Sequence, residues 1–236
     1  MSNGAEGLRG RHVVVTGGTG TLGRAVVARL LAAGATCHVP YLVAAEANAF
    51  PFRNEAVVRL VPDIDLTSEA EVERVYGAIP ELWASIHLAG GFAMAPIAAG
   101  GRTHLLDQIE TNLVTCYLCS AAAVRRMGGG GGRIVNVAAR PALEWRFGAG
   151  MTAYTASKAA VAAFTTALAA EVVSSGILVN AVAPSIIDTP ANRAAMPNAK
   201  HETWPKPEQV AAAICFLASP ENEVTQGAVM PVYGRS

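Results

Sequence analysis

Thr16-Gly17-Gly18-Thr19-Gly20-Thr21-Leu22-Gly23 directly follows a β-branched run at residues 12–16 and opens an Ala/Leu-rich stretch over 22–33. That order of strand, glycine turn and helix decides the fold. A helix N-terminus offers unpaired N–H groups and a partial positive charge, which suit a pyrophosphate. Glycines let the backbone turn tightly and approach a ligand with no Cβ in between. An ordinary tight turn uses such glycines too, so the placement at a first β–α junction carries the nucleotide-binding reading.

The same alternation continues outward. Strands are predicted at residues 36–42 (weakened or bent by Pro40), 57–61, 85–89, 133–138, 178–183 and 229–232. Helices are predicted over 68–77, 105–127, 153–174 and 207–217. Ser68-Glu69-Ala70-Glu71 reads as a capping box, a glycine run from Gly128 ends the long helix, and Pro207 suits a first helical turn. Short β-branched runs separated by helices indicate βαβ units around a parallel sheet. The expectation is an α/β protein with a single doubly wound Rossmann-type domain over 1–236. It would have a parallel sheet of about seven strands flanked by helices and a short flexible N-terminus of about residues 1–10. Neither a repeat of solenoid period nor a long linker divides the chain.

The chain has 236 residues, zero formal net charge and 52% apolar residues. A chain of this size can build a core that needs no disulfide or metal. Neutral charge without a basic run argues against a nucleic-acid or anionic-membrane partner. Residues 159–170 include threonines and are bounded by Lys158 and Glu171, short of the roughly 18–20 apolar residues that span a bilayer. The start, Met1 to Gly7, lacks a basic n-region and an apolar h-region, so a soluble cytoplasmic protein is expected. Cys37, Cys116, Cys119 and Cys215 show no disulfide rhythm. Cys116 and Cys119 could share a helical face, but no second ligand pair has suitable spacing. They read as buried free thiols, and no metal is assigned.

Tyr154-Thr155-Ala156-Ser157-Lys158 places a phenol and an ammonium four residues apart on a predicted helix, hence on one face. A lysine charge near a phenol favours the phenolate and lowers a pKa normally about 10. That pairing makes a proton donor and acceptor for hydride chemistry, although an exposed polar pair has the same spacing. The second strand should distinguish the dinucleotides. An acid near its end would bind the ribose of NAD, and a base would accommodate the phosphate of NADP. Cys37-His38-Val39-Pro40-Tyr41-Leu42 supplies neither, and Glu46 falls late. NAD or NADP both remain open.

These residues resemble the short-chain dehydrogenase/reductase superfamily from the first strand almost to the C-terminus. The glycine loop is similar to that family's Thr-Gly-x-x-x-Gly-x-Gly, with Thr21 where the middle glycine is usual. The resemblance assigns cofactor contacts to Gly17, Thr19, Thr21, Leu22 and Gly23. It adds Asp65-Leu66 beside the adenine, and Ala89, Gly90 and Gly91 in His87-Leu88-Ala89-Gly90-Gly91, where Asn-Asn-Ala-Gly is usual. Pro184, Ile187 and Thr189 resemble the nicotinamide loop. Tyr154 and Lys158 match the catalytic pair, with Lys158 also on the nicotinamide ribose. Asn112 matches the helix asparagine that supports a water relay, or is simply a polar residue bonding helix backbone. The resemblance also implies a homodimer or homotetramer acting on a small-molecule substrate.

One departure bears on the chemistry. In Asn136-Val137-Ala138-Ala139, the serine that most members direct at the substrate carbonyl is Ala139. A neutral hydrogen bond is worth ~0.5–1.5 kcal/mol and an oxyanion-type donor ~3 kcal/mol of barrier. An ordinary ketone reductase would lose roughly two orders of magnitude in rate. Three readings compete: a non-catalytic nucleotide-binding scaffold, a substitute hydroxyl from Thr152 or Thr155, or a substrate that needs no serine. The segments around Ala89-Gly90-Gly91-Phe92, Val137-Ala138-Ala139, Gly150 to Tyr154, Asp188 to Pro197 and Trp204 resemble the quinonoid dihydropteridine reductase branch, whose members work without the serine. That likeness implies hydride transfer to an electron-poor pterin. The alternative is a carbonyl or imine reductase, or an alcohol dehydrogenase, acting on another small molecule. Phe92 and Trp204 are candidates to stack on a flat substrate ring or plain packing residues. Arg193 is a candidate substrate contact or a solvated loop charge.

Overall fold

The computed structural model describes residues 7–236. In chain order the elements begin with β1 (His12–Thr16), α1 (Thr21–Ala32), β2 (Thr36–Pro40), α2 (Ala44–Asn48), β3 (Val58–Val61) and α3 (Glu69–Gly77). Next come β4 (Leu82–His87), α4 (Arg102–Ile109), a π-helical turn (Glu110–Val114), α5 (Thr115–Met127), β5 (Gly132–Val137) and α6 (Arg140–Leu143). The chain closes with α7 (Thr152–Val172), β6 (Ile177–Pro184), α8 (Pro190–Ala195), α9 (Pro207–Ala218) and β7 (Val229–Val232).

The strands form one seven-stranded sheet in the order β3-β2-β1-β4-β5-β6-β7. Every neighbouring pair is parallel. Val13, Val14 and Val15 are fully buried, as expected for a strand covered on both faces, where consecutive side chains point to opposite layers. One layer packs Val26, Val27 and Leu30 of α1 with Val210, Ile214 and Leu217 of α9 against the sheet. The other packs Val72 and Val75 of α3, Ala122 of α5 and Leu168 and Val172 of α7. Chain progression reverses between β1 and β4, and a crevice outside the carboxyl ends of the strands at such a switch point is where ligands bind in these sheets.

Several boundaries differ from expectation. The strand predicted over 36–42 ends at Pro40, and the one predicted over 85–89 occupies Leu82–His87. The long helix predicted over 105–127 starts earlier and is interrupted by the π turn. Ser68 is the N-cap of α3 but makes no side-chain cap bond. Glu71, its expected capping-box partner, instead accepts the N–H of Asp65 at 2.5 Å. Leu8 is a core residue whose N–H donates to the Ala33 carbonyl at 3.1 Å. The segment expected to be flexible is therefore anchored there, while residues 1–6 lie outside the described residues. The apolar segment judged too short for a bilayer is also longer than expected. Thr152–Ser175 is long and apolar enough to cross one by length and composition. Nine residues along α7 are buried in this fold, Lys158 among them.

Candidate active site

The glycine cradle forms at the crevice. Gly17 has φ +64°, and a Cβ there would lie 2.7 Å from the Ala89 nitrogen. A Cβ on Gly23 would come within 2.2 Å of the Gly17 carbonyl oxygen, so loop and helix approach as only glycine permits. Gly20 is the N-cap of α1 and no side chain caps the helix, which leaves its first-turn N–H groups for an anion. Thr21 is exposed, so its Cβ is accommodated outside the close contact. Leu22 leans on the core. The buried Thr19 hydroxyl donates to Glu46 Oε2 at 2.7 Å, and Arg24 Nε donates to the Thr19 carbonyl at 2.8 Å. These features fit a dinucleotide pyrophosphate.

Asn112 lies in the π turn, 1% exposed, and reads the backbone of Gly91 in both directions. Its Oδ1 accepts the Gly91 N–H at 3.1 Å, and its Nδ2 donates to the Gly91 carbonyl at 3.0 Å. The same Nδ2 also donates to Ser157 Oγ at 3.2 Å, and Ser157 donates in turn to the Tyr154 carbonyl at 2.8 Å. A Cβ on Gly90 would fall 2.7 Å from Asn112 Oδ1 and 3.3 Å from Lys158 Nζ. Asn112, Gly90, Gly91, Tyr154 and Lys158 thus occupy one neighbourhood. Sequence reasoning missed Ser157, although it lies inside the Tyr154–Lys158 span three residues after the tyrosine, where its hydroxyl could turn inward.

Lys158 Nζ donates to the Val137 carbonyl at 2.9 Å. Burial lowers its pKa to about 8, and burial raises that of Tyr154 to about 12. The expectation that the ammonium lowers the phenol is corrected here. Desolvation dominates both groups and favours the uncharged form of each. The Phe92 ring meets Tyr154 edge-on, with centroids 4.9 Å apart at 89°, and Phe92 is 58% exposed.

Below the pair runs a buried polar chain. Tyr76 Oη and Ser85 Oγ lie 2.7 Å apart, Ser85 Oγ and His87 Nε2 2.8 Å, and His87 Nδ1 and Asn136 Oδ1 2.8 Å. Asn136 Nδ2 donates to Thr165 Oγ1 at 2.9 Å. Burial lowers the His87 pKa to about 4, so the ring is neutral at physiological pH. The chain joins α3, β4, β5 and α7, and its Asn136 immediately precedes Val137, whose carbonyl accepts from Lys158.

The remaining predicted residues are placed as follows. Asp65 Oδ1 accepts the Thr67 N–H and hydroxyl, which hold its carboxyl below the usual range, and Leu66 packs on the core. Pro184 closes β6, Ile187 accepts from Asn192 Nδ2 at 2.8 Å, and the Thr189 hydroxyl caps α8 by accepting the Asn192 N–H. Arg193, on α8, pairs with Asp188 just before that helix at 2.5 Å. Trp204 is buried, its ring 4.7 Å from that of His201. Ala139 is 5% exposed. Of the two candidate hydroxyls, Thr152 is exposed, and Thr155 Oγ1 is buried without a partner beside Gly148. The four cysteines are unpaired thiols. Burial raises Cys116 and Cys119 to about 12, far from metal-binding thiolates.

A parallel sheet with a glycine cradle at its switch point and a Tyr-Lys-Asn group across the crevice defines an NAD(P)-dependent oxidoreductase. The chain belongs to the short chain dehydrogenase family, whose model matches residues 11–200. It is 30% identical to the 3-oxoacyl-(acyl-carrier-protein) reductase FabG of Vibrio harveyi, over 96% of this chain and 97% of that protein. It is 32% identical to carbonyl reductase family member 4 of Danio rerio, over 95% of this chain and 97% of that one. Among solved structures it is similar to a blue fluorescent protein from a metagenomic library in complex with NADPH. That match has a TM-score of 0.86 and 28% identity, covering 98% of this chain and 99% of the other.

Proposed function

We propose that this chain is an NAD(P)H-dependent reductase of an electron-poor, conjugated C=N substrate of the quinonoid dihydropterin kind, with Tyr154 as proton donor. The observation that carries the substrate class is Ala139. A buried methyl group stands where the family's resemblance places a carbonyl-binding hydroxyl. Bound NAD(P)H supplies the hydride. Tyr154, kept protonated by burial, holds the proton that completes the reduction. In a quinonoid ring the incoming charge spreads over several heteroatoms, so a fixed donor at one oxygen matters less. Lys158 has three N–H donors and spends one on Val137, which leaves two for a cofactor ribose or a water. Asn112 holds Gly90 and Gly91 against the nicotinamide side of the crevice. Phe92 is the candidate to face a flat substrate ring.

Carbonyl reduction is the second reading, favoured by the names of the relatives. NADH and NADPH oxidation measured against quinonoid dihydropterin and a ketone panel separates the two. Pterin turnover with ketones slower by about 100-fold supports the proposal, and Ala139→Ser should then raise ketone reduction. Equal rates on both, with no gain from the serine, would establish the carbonyl reading. Tight dinucleotide binding with no turnover on any substrate would point to a non-catalytic scaffold. A cytoplasmic homodimer or homotetramer belongs to the same proposal. It is supported by the four unpaired thiols and by exposed Tyr117 on α5, whose ring lies 5.4 Å from that of Phe164 on α7.

A further inference from the structure

We propose that Glu46 selects the cofactor, favouring NADH over NADPH by placing a carboxylate where the 2′-phosphate of NADPH would come. Its position in the sequence hides it, because it lies six residues beyond Pro40, the end of β2. In the fold that distance is folded back. The Thr19 hydroxyl, inside the glycine loop, donates to Glu46 Oε2 at 2.7 Å. Thr19 is 3% exposed and fixed, whereas Glu46 is exposed, so the carboxylate stands on the open rim of the phosphate cradle.

The element that carries Glu46 is anchored. Ala47, the next residue of α2, is buried, and Phe50 just beyond α2 is fully buried and meets Phe52 edge-on at 5.4 Å. A carboxylate offers about four acceptor sites. With one taken by Thr19, the rest suit the two hydroxyls of an adenosine ribose. An acid on this rim hydrogen-bonds the ribose 2′-hydroxyl, and a base accommodates a 2′-phosphate. The end of β2 supplies neither, running Pro40-Tyr41-Leu42. Arg24 also reaches the loop, from α1, with its Nε committed to the Thr19 carbonyl at 2.8 Å. It is the rival determinant, since its remaining guanidinium N–H groups could receive a phosphate.

The inference rests on the dinucleotide site and is independent of the substrate, so its test is binding. Fluorescence titration with NADH and NADPH at low salt should give NADH the lower Kd by on the order of 10- to 100-fold, a gap that narrows as salt screens the carboxylate. Glu46→Gln should bring the two constants together mainly by strengthening NADPH, and Glu46→Lys should invert the order. Equal or NADPH-favouring constants in the parent, unmoved by Glu46→Gln but lost on Arg24→Leu, would overturn the assignment while leaving the oxidoreductase reading intact. Binding of neither dinucleotide would overturn both together.

Discussion

The ammonium of Lys158 donates to the carbonyl oxygen of Val137, 2.9 Å away, although the Tyr154 phenol lies one helical turn before it on the same face of α7. The cation is tied to the carboxyl end of β5 and pays part of its desolvation through a backbone carbonyl, so its charge state is linked to folding.

That burial predicts a pH dependence for folding. Lys158 titrates near 8 in the folded chain and near 10.5 when unfolded. Below pH 8 both states carry the charge, and the folded state bears the full burial cost. Between 8 and 10.5 the unfolded chain keeps a proton that the folded one has released, so stability rises with pH. The rise is roughly 3 kcal/mol. Lys158→Met removes it: denaturant titrations should show parent stability gaining on the variant from pH 8 to 10.5, with no relative change from pH 6 to 7.5.

Tyr154→Phe should leave NADH binding within about twofold and lower kcat by about 10²–10⁴-fold, the range for a positioned acid. Stopped-flow turnover beside a cofactor titration reads both. An unchanged kcat would remove Tyr154 from the proton transfer.

Asn112→Ala leaves the Gly91 N–H and carbonyl without the side chain that now bonds both. The cost should be about 1–3 kcal/mol in urea unfolding, as two half-buried polar groups lose a partner. Weaker cofactor binding should accompany it, because the Gly90–Gly91 segment is no longer held.

Gly23→Ala puts a methyl group 2.2 Å from the Gly17 carbonyl oxygen, and the atoms it meets are backbone, with no flexible side chain to yield. Dinucleotide affinity should fall at least tenfold. Thr21→Gly should leave affinity near the parent value, since Thr21 already points outward.

Much of the fold was legible because its signals are local. Val13, Val14 and Val15 form an uninterrupted apolar run, as a strand covered on both faces requires, and the glycines of the cradle announce a close approach. Helices α2, α6 and α8 escaped prediction because they span only 5, 4 and 6 residues, too few for a helical period to register. In the site, Tyr154 and Lys158 were readable from their spacing, whereas the acceptor of Lys158 is a main-chain carbonyl and leaves no trace in side-chain identity. The shifted phenol was misjudged for a related reason: spacing shows proximity of charge but not the depth of burial that outweighs it. Glu46 falls late by residue count along the chain, a measure that does not register the turn into α2 that brings it to the Thr19 hydroxyl.

The π turn at Glu110–Val114 holds one residue more per turn than the α-helices on either side. An α-helix advances about 100° per residue, so removing one residue here would re-phase α5 against α4 by that angle. The helix would become regular and Asn112 would swing off Gly91. The irregularity is therefore an inserted length that tunes rotation: a shortened chain could keep its sheet and both helices and still lose the crevice geometry.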